Sequence, residues 1–423
     1  MSRRGAWGAK ITHSAVGFAI AHWALSRLLI LIAIWLVAPV LPIPAGGVVV
    51  PRDWQALIRW DSQFYLQIAE TGYEYADDGK AYNIAFFPAL PLLIRAGMLL
   101  GLPPEAAGLL ANNLAFLAAL ILLYHWVNER HGQQAARWAA IALVWCPFSL
   151  FGTVLYTEGV FLLVSTAALA SFDRKQYGWA AVWGALASAT RLPGLMLVPA
   201  FLFVSWKEQR GLPAYLCSLA AGTGALFYSL FCWLQFSELL AFLKVQKAWH
   251  PHELAYGQAW LKSLVQITLG SATWKSGKIL DPLYPIAVLA ICAITCLIWR
   301  FRQQLGKVRT RWGFCVLALL LWILAGSPLV NVVMVLGSAY LAWHFRRELR
   351  PVAAAYGLLS VALILGTGRT ISAERYMYAV VPVAIAFGIL LSRYPRWGYP
   401  ICSFFALLLF SLAIRFSQQL WAG

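Results

Sequence analysis

The sequence predicts an all-α, polytopic membrane protein, a bundle of thirteen transmembrane helices. Three observations predict it. Of 423 residues, 61% are hydrophobic and only 12% charged, whereas a soluble domain carries about a quarter charged residues. Apolar runs recur along the whole chain, as in a protein that crosses a bilayer repeatedly as helices. The basic residues stand at the ends of those runs, in keeping with the positive-inside rule. The net charge of +17 therefore does not predict a nucleic-acid partner.

The first run, from about 15 to 40, follows Arg3, Arg4 and Lys10. It is too long for a signal-peptide core and lacks a small-residue cleavage site, so it is expected to be the first span, entered from the cytoplasm. The segment 84–100, "IAFFPALPLLIRAGMLL", contains two prolines and Arg95 and is read as a juxtamembrane element. The next spans are then expected at 105–127, 137–153, 156–172, 176–190, 193–206, 212–236, 283–299, 312–325, 329–345, 352–368, 376–392 and 399–418.

Charge fixes the orientation. In this arrangement the cytoplasmic segments, counting Arg137 at the edge of its span, hold nineteen of the thirty-three Lys and Arg residues and the external ones twelve, the bias the orientation rule counts. Treating 84–100 as a span would invert every later loop and place "RFRQQLGKVRTR" (300–311) outside. The whole chain, 1–423, is expected to be one integral-membrane domain with two long external segments, 41–104 and 237–281. The seven cysteines all lie in apolar stretches without a CxxC, so neither a disulfide framework nor a metal site is expected.

The first external segment carries "RWDSQFYLQIAETGY" (59–73). Read at helical period, an interfacial helix over about 53–70 places Trp54, Leu57, Ile58, Tyr65 and Ile68 on one apolar stripe, with Asp61 in its middle and Gln55, Arg59, Ser62, Gln63 and Gln67 opposite. Burial raises a carboxylate pKa unless cations or donors hold the charge. Asp61 is therefore either a general base for a hydroxyl or an interfacial carboxylate paired with Arg59 or a later arginine.

Other polar residues fall on the same predicted face. Glu158 opens a span in "LYTEGVF". Arg191 stands in the turn "ATRLPG", and Gln246 and Trp249 in "FLKVQKAWHPH". Arg369, Glu374, Arg375 and Tyr376 stand in "GTGRTISAERY". An arginine fork suits a phosphate, but Arg191 and Arg375 can equally be membrane anchors, Glu158 a helix cap and Trp249 an interfacial anchor. The "HPHE" at 250–253 matches no recognised metal spacing. Neither a cofactor nor a metal is expected. The "DD" at 77–78, followed by Gly79, reads as a solvated turn.

Together these stretches carry a resemblance. "RWDSQFYLQIAETGY" followed by "NIAFFPALPLL" resembles the first luminal loop of the mannosyltransferases that add the second mannose of the GPI anchor, and of their prokaryotic relatives. These are membrane glycosyltransferases of the GT-C class. "YTEGVFLL", "ATRLPG", "FLKVQKAW" and "AERYMYAVVP" follow in the family's order, so the likeness runs from about 59 to 382. It implies a GT-C-like bundle, a polyprenyl- or dolichyl-phosphate mannose donor, an extracytoplasmic or luminal site, and a catalytic place for the Trp60–Asp61 pair. Gly159 stands where the family more typically has serine, with no effect on the chemistry expected.

The expected function is transfer of mannose or a related hexose from the lipid phosphate to an unidentified acceptor hydroxyl, with inversion. Asp61 would be the base and Arg191 and Arg375 the phosphate ligands. Trp60, Tyr65, Glu158, Gln246, Trp249, Arg369 and Tyr376 would line the substrates. Membrane lipids are the only other expected partner, and the short loops lean toward a bacterial plasma membrane over endoplasmic reticulum. The rival is a transporter or flippase of lipid-linked sugars, which predicts ionisable residues at mid-membrane depth.

Overall fold

In the computed structural model, residues 13–249 and 257–420 are described, and every regular element among them is helical. The N-terminal Arg3, Arg4 and Lys10 and the "HPHE" at 250–253 lie outside these residues. In chain order the helices are α1 His13–Leu31, α2 Ser62–Thr71, α3 Ala89–Leu99, α4 Pro104–Trp145, α5 Glu158–Asp173, α6 Tyr177–Thr190, α7 Leu197–Lys207, α8 Leu212–Ala220, α9 Thr223–Phe236, α10 Ala241–Lys244 and α11 Gln246–Trp249. They continue as α12 Gln258–Leu269, α13 Ser271–Ser276, α14 Leu283–Arg300, α15 Arg302–Ala325, α16 Ser327–His344, α17 Pro351–Gly366, α18 Ala373–Tyr378, α19 Val381–Arg393 and α20 Pro395–Ser417.

The chain divides into two compact units. The larger holds residues 1–251, 342–360 and 378–422, and the smaller holds 252–341 and 361–377. In the larger unit α4 packs on α5, α19, α3 and α1, and α5 packs on α6. Its core is aliphatic and aromatic, with Phe116, Trp126, Phe151, Phe161, Phe172, Phe201 and Phe416 fully enclosed. In the smaller unit α14 packs on α15, and α12 on both.

Helix is present in each of the thirteen segments read as spans. Five stretches are long and apolar enough to cross a bilayer: 15–40, Pro104–Trp145, Leu283–Arg300, Arg302–Ala325 and Pro395–Ser417. The pair α8–α9, bent by 41°, makes a sixth. Glycine places the breaks within long helices. α4 is interrupted at Gly132 (φ 79°) and α15 at Gly306 (φ 73°), a left-handed conformation that costs glycine little. Both fall in turns expected between spans, at 128–136 and 300–311. At the first turn, Arg174 reaches Glu129 at 2.6 Å, and Arg350 reaches Asp173 at 2.5 Å and Glu129 at 3.3 Å. α3 has eleven residues, about 16 Å of rise, roughly half the hydrocarbon thickness.

The interfacial helix expected over 53–70 is not continuous. A 3-10 turn covers Trp54–Leu57, Ile58 to Asp61 leave the helix, and α2 begins at Ser62. Trp60 has φ 56°, which a right-handed helix cannot include. The break resets the helical phase. Leu57, Ile58, Tyr65 and Ile68 remain buried as expected, but Trp54 is 61% exposed and Ser62, placed on the polar face, is fully buried. Asp61 is therefore not mid-stripe. It is the residue before α2, makes no side-chain capping bond there, and is half-buried.

Candidate active site

The larger unit brings four of the expected site residues to one place. Glu158 opens α5 with no accessible surface, and Arg191, 8% exposed, follows α6. Arg191 Nη1 donates to Glu158 Oε1. Two charges can leave water together because each holds the other, and losing one partner would strand the second. The α5 N-terminus adds its positive dipole end beside the Glu158 carboxylate.

Tyr65, buried on α2, joins Asp61 to that pair. Its phenol shares a side-chain hydrogen bond with Thr157 and feels Asp61, Arg191 and Glu158 at once. Burial, followed by the Asp61 charge, holds the phenol well above its ordinary pKa despite the opposing Arg191. Tyr65 thus stays protonated and able to donate. Asp61 reaches this place through its backbone as well, its N–H donating to the Tyr156 hydroxyl at 3.3 Å. Trp60, half-buried, makes the left-handed turn just before it.

Between α4 and α5 the chain runs through a wholly buried segment, residues 146–157. Pro147 ends α4 by disfavouring helix at Cys146. A 3-10 turn follows over Pro147–Gly152. The backbone polar groups there need partners. Asn112 supplies two, donating to Phe151 O and Val154 O at 2.7 Å each, and Asn113 donates to Thr153 O at 2.7 Å. The Asn112 side-chain oxygen accepts the Gly159 N–H at 2.7 Å. Asn112, Asn113 and Tyr156 were not among the expected site residues. The adjacent amides in "LLANNLAFL", inside an apolar run, are the signal that could have found the first two.

Gln246 and Trp249 are half-buried on α11. Trp249 is embedded in an aromatic cluster, edge-on to Phe64 at 4.8 Å and to Phe86 at 5.5 Å, with Nε1 donating to Tyr82 O at 3.1 Å. Its indole ties the first long segment to the second.

Arg369, Glu374, Arg375 and Tyr376 belong to the smaller unit. Arg375 is 8% exposed, with its guanidinium 5.5 Å from the Tyr376 ring centre, and Arg369 is half-buried. Glu374, also 8% exposed, accepts from Asn331 Nδ2 at 2.6 Å, while the same amide donates to Thr370 O at 2.5 Å. Burial pushes the Glu374 carboxyl up to about 7, against its backbone hydrogen bond, the Arg375 charge and the Asn331 donor. The cysteine thiols are all free. No cluster that could hold a metal occurs among the described residues.

Known proteins match parts of this chain. "GPI alpha-1,6-mannosyltransferase 2" of Rattus norvegicus is 34% identical over 169 residues, 37% of this chain and 33% of the relative. The Homo sapiens protein of the same name is 29% identical over 155 residues, 34% of this chain and 30% of the relative. The match spans about a third of the length of these relatives. Among solved structures, the apo oligosaccharyltransferase of Archaeoglobus fulgidus aligns at TM-score 0.48 and 14% identity, over 99% of this chain and 57% of that one. ArnT of Cupriavidus metallidurans bound to undecaprenyl phosphate aligns at TM-score 0.38 and 17% identity, over 89% and 78%. Neither structural likeness bears on function. The family model lies across "RWDSQFYLQIAETGY", "YTEGVFLL" and "ATRLPG" and stops short of "FLKVQKAW" and "AERYMYAVVP". It is over residues 47–209, the stretch that holds Asp61, Tyr65, Glu158 and Arg191, that the chain matches the family of mannosyltransferases (PIG-V).

Proposed function

We propose that the protein transfers mannose, or a related hexose, from a polyprenyl- or dolichyl-phosphate donor to an acceptor hydroxyl at the extracytoplasmic or luminal membrane face. The observation that carries this reading is the meeting of Asp61, Tyr65, Glu158 and Arg191 within residues 47–209. The names of the relatives supply the sugar. Helix in each segment read as a span, and the shortness of α3, support thirteen crossings of one membrane domain with 41–104 outside.

In the proposed step the acceptor oxygen attacks the anomeric carbon and Asp61 takes its proton. The bond from that carbon to the phosphate oxygen breaks, the phosphate leaves with the electron pair, and one displacement inverts the centre. Charge grows on the leaving phosphate, where fixed cations lower the barrier most. Arg191 is assigned to that phosphate; Arg375, in the smaller unit, is proposed as a donor-binding residue on the sequence pattern alone. Glu158, by holding Arg191 Nη1, orients the fork and is a positioning residue here. Tyr65 donates to the substrate side of the site. Trp60, Gln246, Trp249, Arg369 and Tyr376 are assigned to sugar, acceptor and lipid contacts. Trp249 does so mainly as the clasp that holds residues 82–86.

The protein is an integral, multi-pass membrane protein. The relatives named above are mammalian, which gives the expected preference for a bacterial membrane no support. Neither do the comparisons support the rival of transport or flipping. The test is to incubate the purified protein with labelled polyprenyl-phosphate mannose and a membrane lipid extract. A labelled glycolipid of inverted anomeric configuration is expected. Movement of intact donor across vesicles without transfer would contradict the proposal.

A further inference from the structure

We infer that Tyr156 and Asn112 are positioning residues that hold Asp61 and the Glu158–Arg191 pair at a fixed separation, an inference that rests on the reading of Asp61 as the base.

The connector 146–157 contains no α-helix of its own, only the 3-10 turn over Pro147–Gly152, and that turn packs against α20, α4 and α5. Asn112 does the work of a neighbouring strand. Both its amide hydrogens are spent on the connector's carbonyls, at residues 151 and 154, and its oxygen holds an amide in the first turn of α5, at Gly159. Its two amide bonds and the Gly159 bond thus tie the connector and the helix start to α4, with Asn112 itself fully buried.

The opposite side of the connector faces the Asp61 turn. Leu155 N–H donates to Leu57 O at 3.4 Å, and the Tyr156 hydroxyl accepts the Asp61 N–H at 3.3 Å. Tyr156 cannot swing away, because its ring lies 4.9 Å from that of Phe151 and 6.0 Å from that of Phe416. Tyr156 thus grips the candidate base, and Glu158, two residues later, grips the candidate phosphate ligand. Asn112 fixes the backbone on both sides of that short span. A misplacement of about 1 Å between reacting groups can cost on the order of a hundredfold in rate, so a partial loosening should cost about tenfold.

Tyr156→Phe removes one oxygen and keeps the ring packing. The experiment measures initial rates with labelled polyprenyl-phosphate mannose and a membrane lipid extract for wild type, Tyr156→Phe, Asp61→Asn and the double variant. Amide exchange over residues 57–63 is measured in the same detergent. The expected result is about a tenfold loss of turnover in Tyr156→Phe with unchanged half-saturating donor, and less than a twofold further loss when Asp61→Asn is already present. Exchange over 57–63 should be faster. Asn112→Ser, which shortens the reach of the side chain, should behave in the same direction where it folds. Losses that multiply in the double variant, or a donor half-saturation that moves in place of turnover, would overturn the inference, as would unchanged exchange in Tyr156→Phe. Faster exchange with no transfer by any variant, wild type included, would refute the transferase reading and leave the clamp standing. Wild-type rate in Asp61→Asn would refute Asp61 as base and, with it, this role for Tyr156.

Discussion

Gly159 and Asn112 touch so closely that no side chain fits between them. The Gly159 N–H lies 2.7 Å from Asn112 Oδ1, and a Cβ added at Gly159 would come within 2.2 Å of the Asn112 backbone oxygen. Gly159, where the family more usually has serine, was expected to have no effect on the chemistry, and packing is a separate matter. In this chain the glycine lets α5 begin directly against α4. Gly159→Ser should therefore force the two apart and destabilise the protein, by about 1–3 kcal/mol as overpacking does, read as a fall in melting temperature in detergent. A variant as stable as wild type would show that α5 can shift freely.

The Glu158–Arg191 pair makes a second prediction. Replacing one buried partner strands the other charge, at a cost of about 3–5 kcal/mol, whereas replacing both with apolar residues is often close to neutral. Glu158→Leu and Arg191→Leu should each lower thermal stability more than the double variant does. Additive losses would mean the two charges do not depend on each other.

The phosphate assignment makes a third. Arg191→Lys and Arg375→Lys keep the charge and lose the planar fork. Both should transfer labelled mannose markedly more slowly. Unchanged rates in both would leave Arg191 as the buried partner of Glu158 and remove both arginines from donor binding.

Glu374 gives a pH signature. Its folded pKa is raised by burial to about 7, above the ordinary value of about 4.3. Between those values the folded state binds more protons than the unfolded one, so stability falls as pH rises from about 4.5 to about 7 and levels off above. The contribution is on the order of 3 kcal/mol. Glu374→Gln should flatten that part of a melting-temperature profile, and an unaltered profile would show that the carboxyl is already ionised in the folded protein.

Much of this was legible in advance. Composition and basic punctuation mark the helices, and glycine breaks at 132 and 306 fall within expected turns. Glu158 and Arg191 could be singled out as charges beside apolar runs, whereas Asp61 and Tyr65 were singled out on a continuous stripe that the turn at Trp60 interrupts. The continuous helix over 53–70 could not be corrected from periodicity, because periodicity assumes one phase, and the left-handed Trp60 resets it. The roles of Asn112 and Tyr156 were hidden for another reason. They arise from contacts 39 to 95 residues apart in sequence, which no local pattern records.

Topology is open to direct labelling. Lys80, 76% exposed, lies in the first long segment, and Arg309 is exposed beside the Gly306 break. In a protein with its seven native cysteines replaced, an impermeant thiol reagent should label Lys80→Cys from outside and Arg309→Cys only from the cytoplasm. Labelling of both from one side would discard the thirteen-span arrangement.

The most direct measurement is the initial transfer rate of Asp61→Asn at saturating polyprenyl-phosphate mannose, beside its melting temperature in the same detergent. The side chain keeps its size and loses the base. Asp53→Asn is the control: the Asp53 carboxylate accepts the Gln55 N–H at 2.9 Å, a cap worth about 1 kcal/mol. Asp61→Asn is expected to fold normally and turn over on the order of a hundredfold more slowly or worse, while Asp53→Asn loses only stability. A well-folded Asp61→Asn protein with near-normal turnover would contradict the account, and Glu158 would become the candidate base.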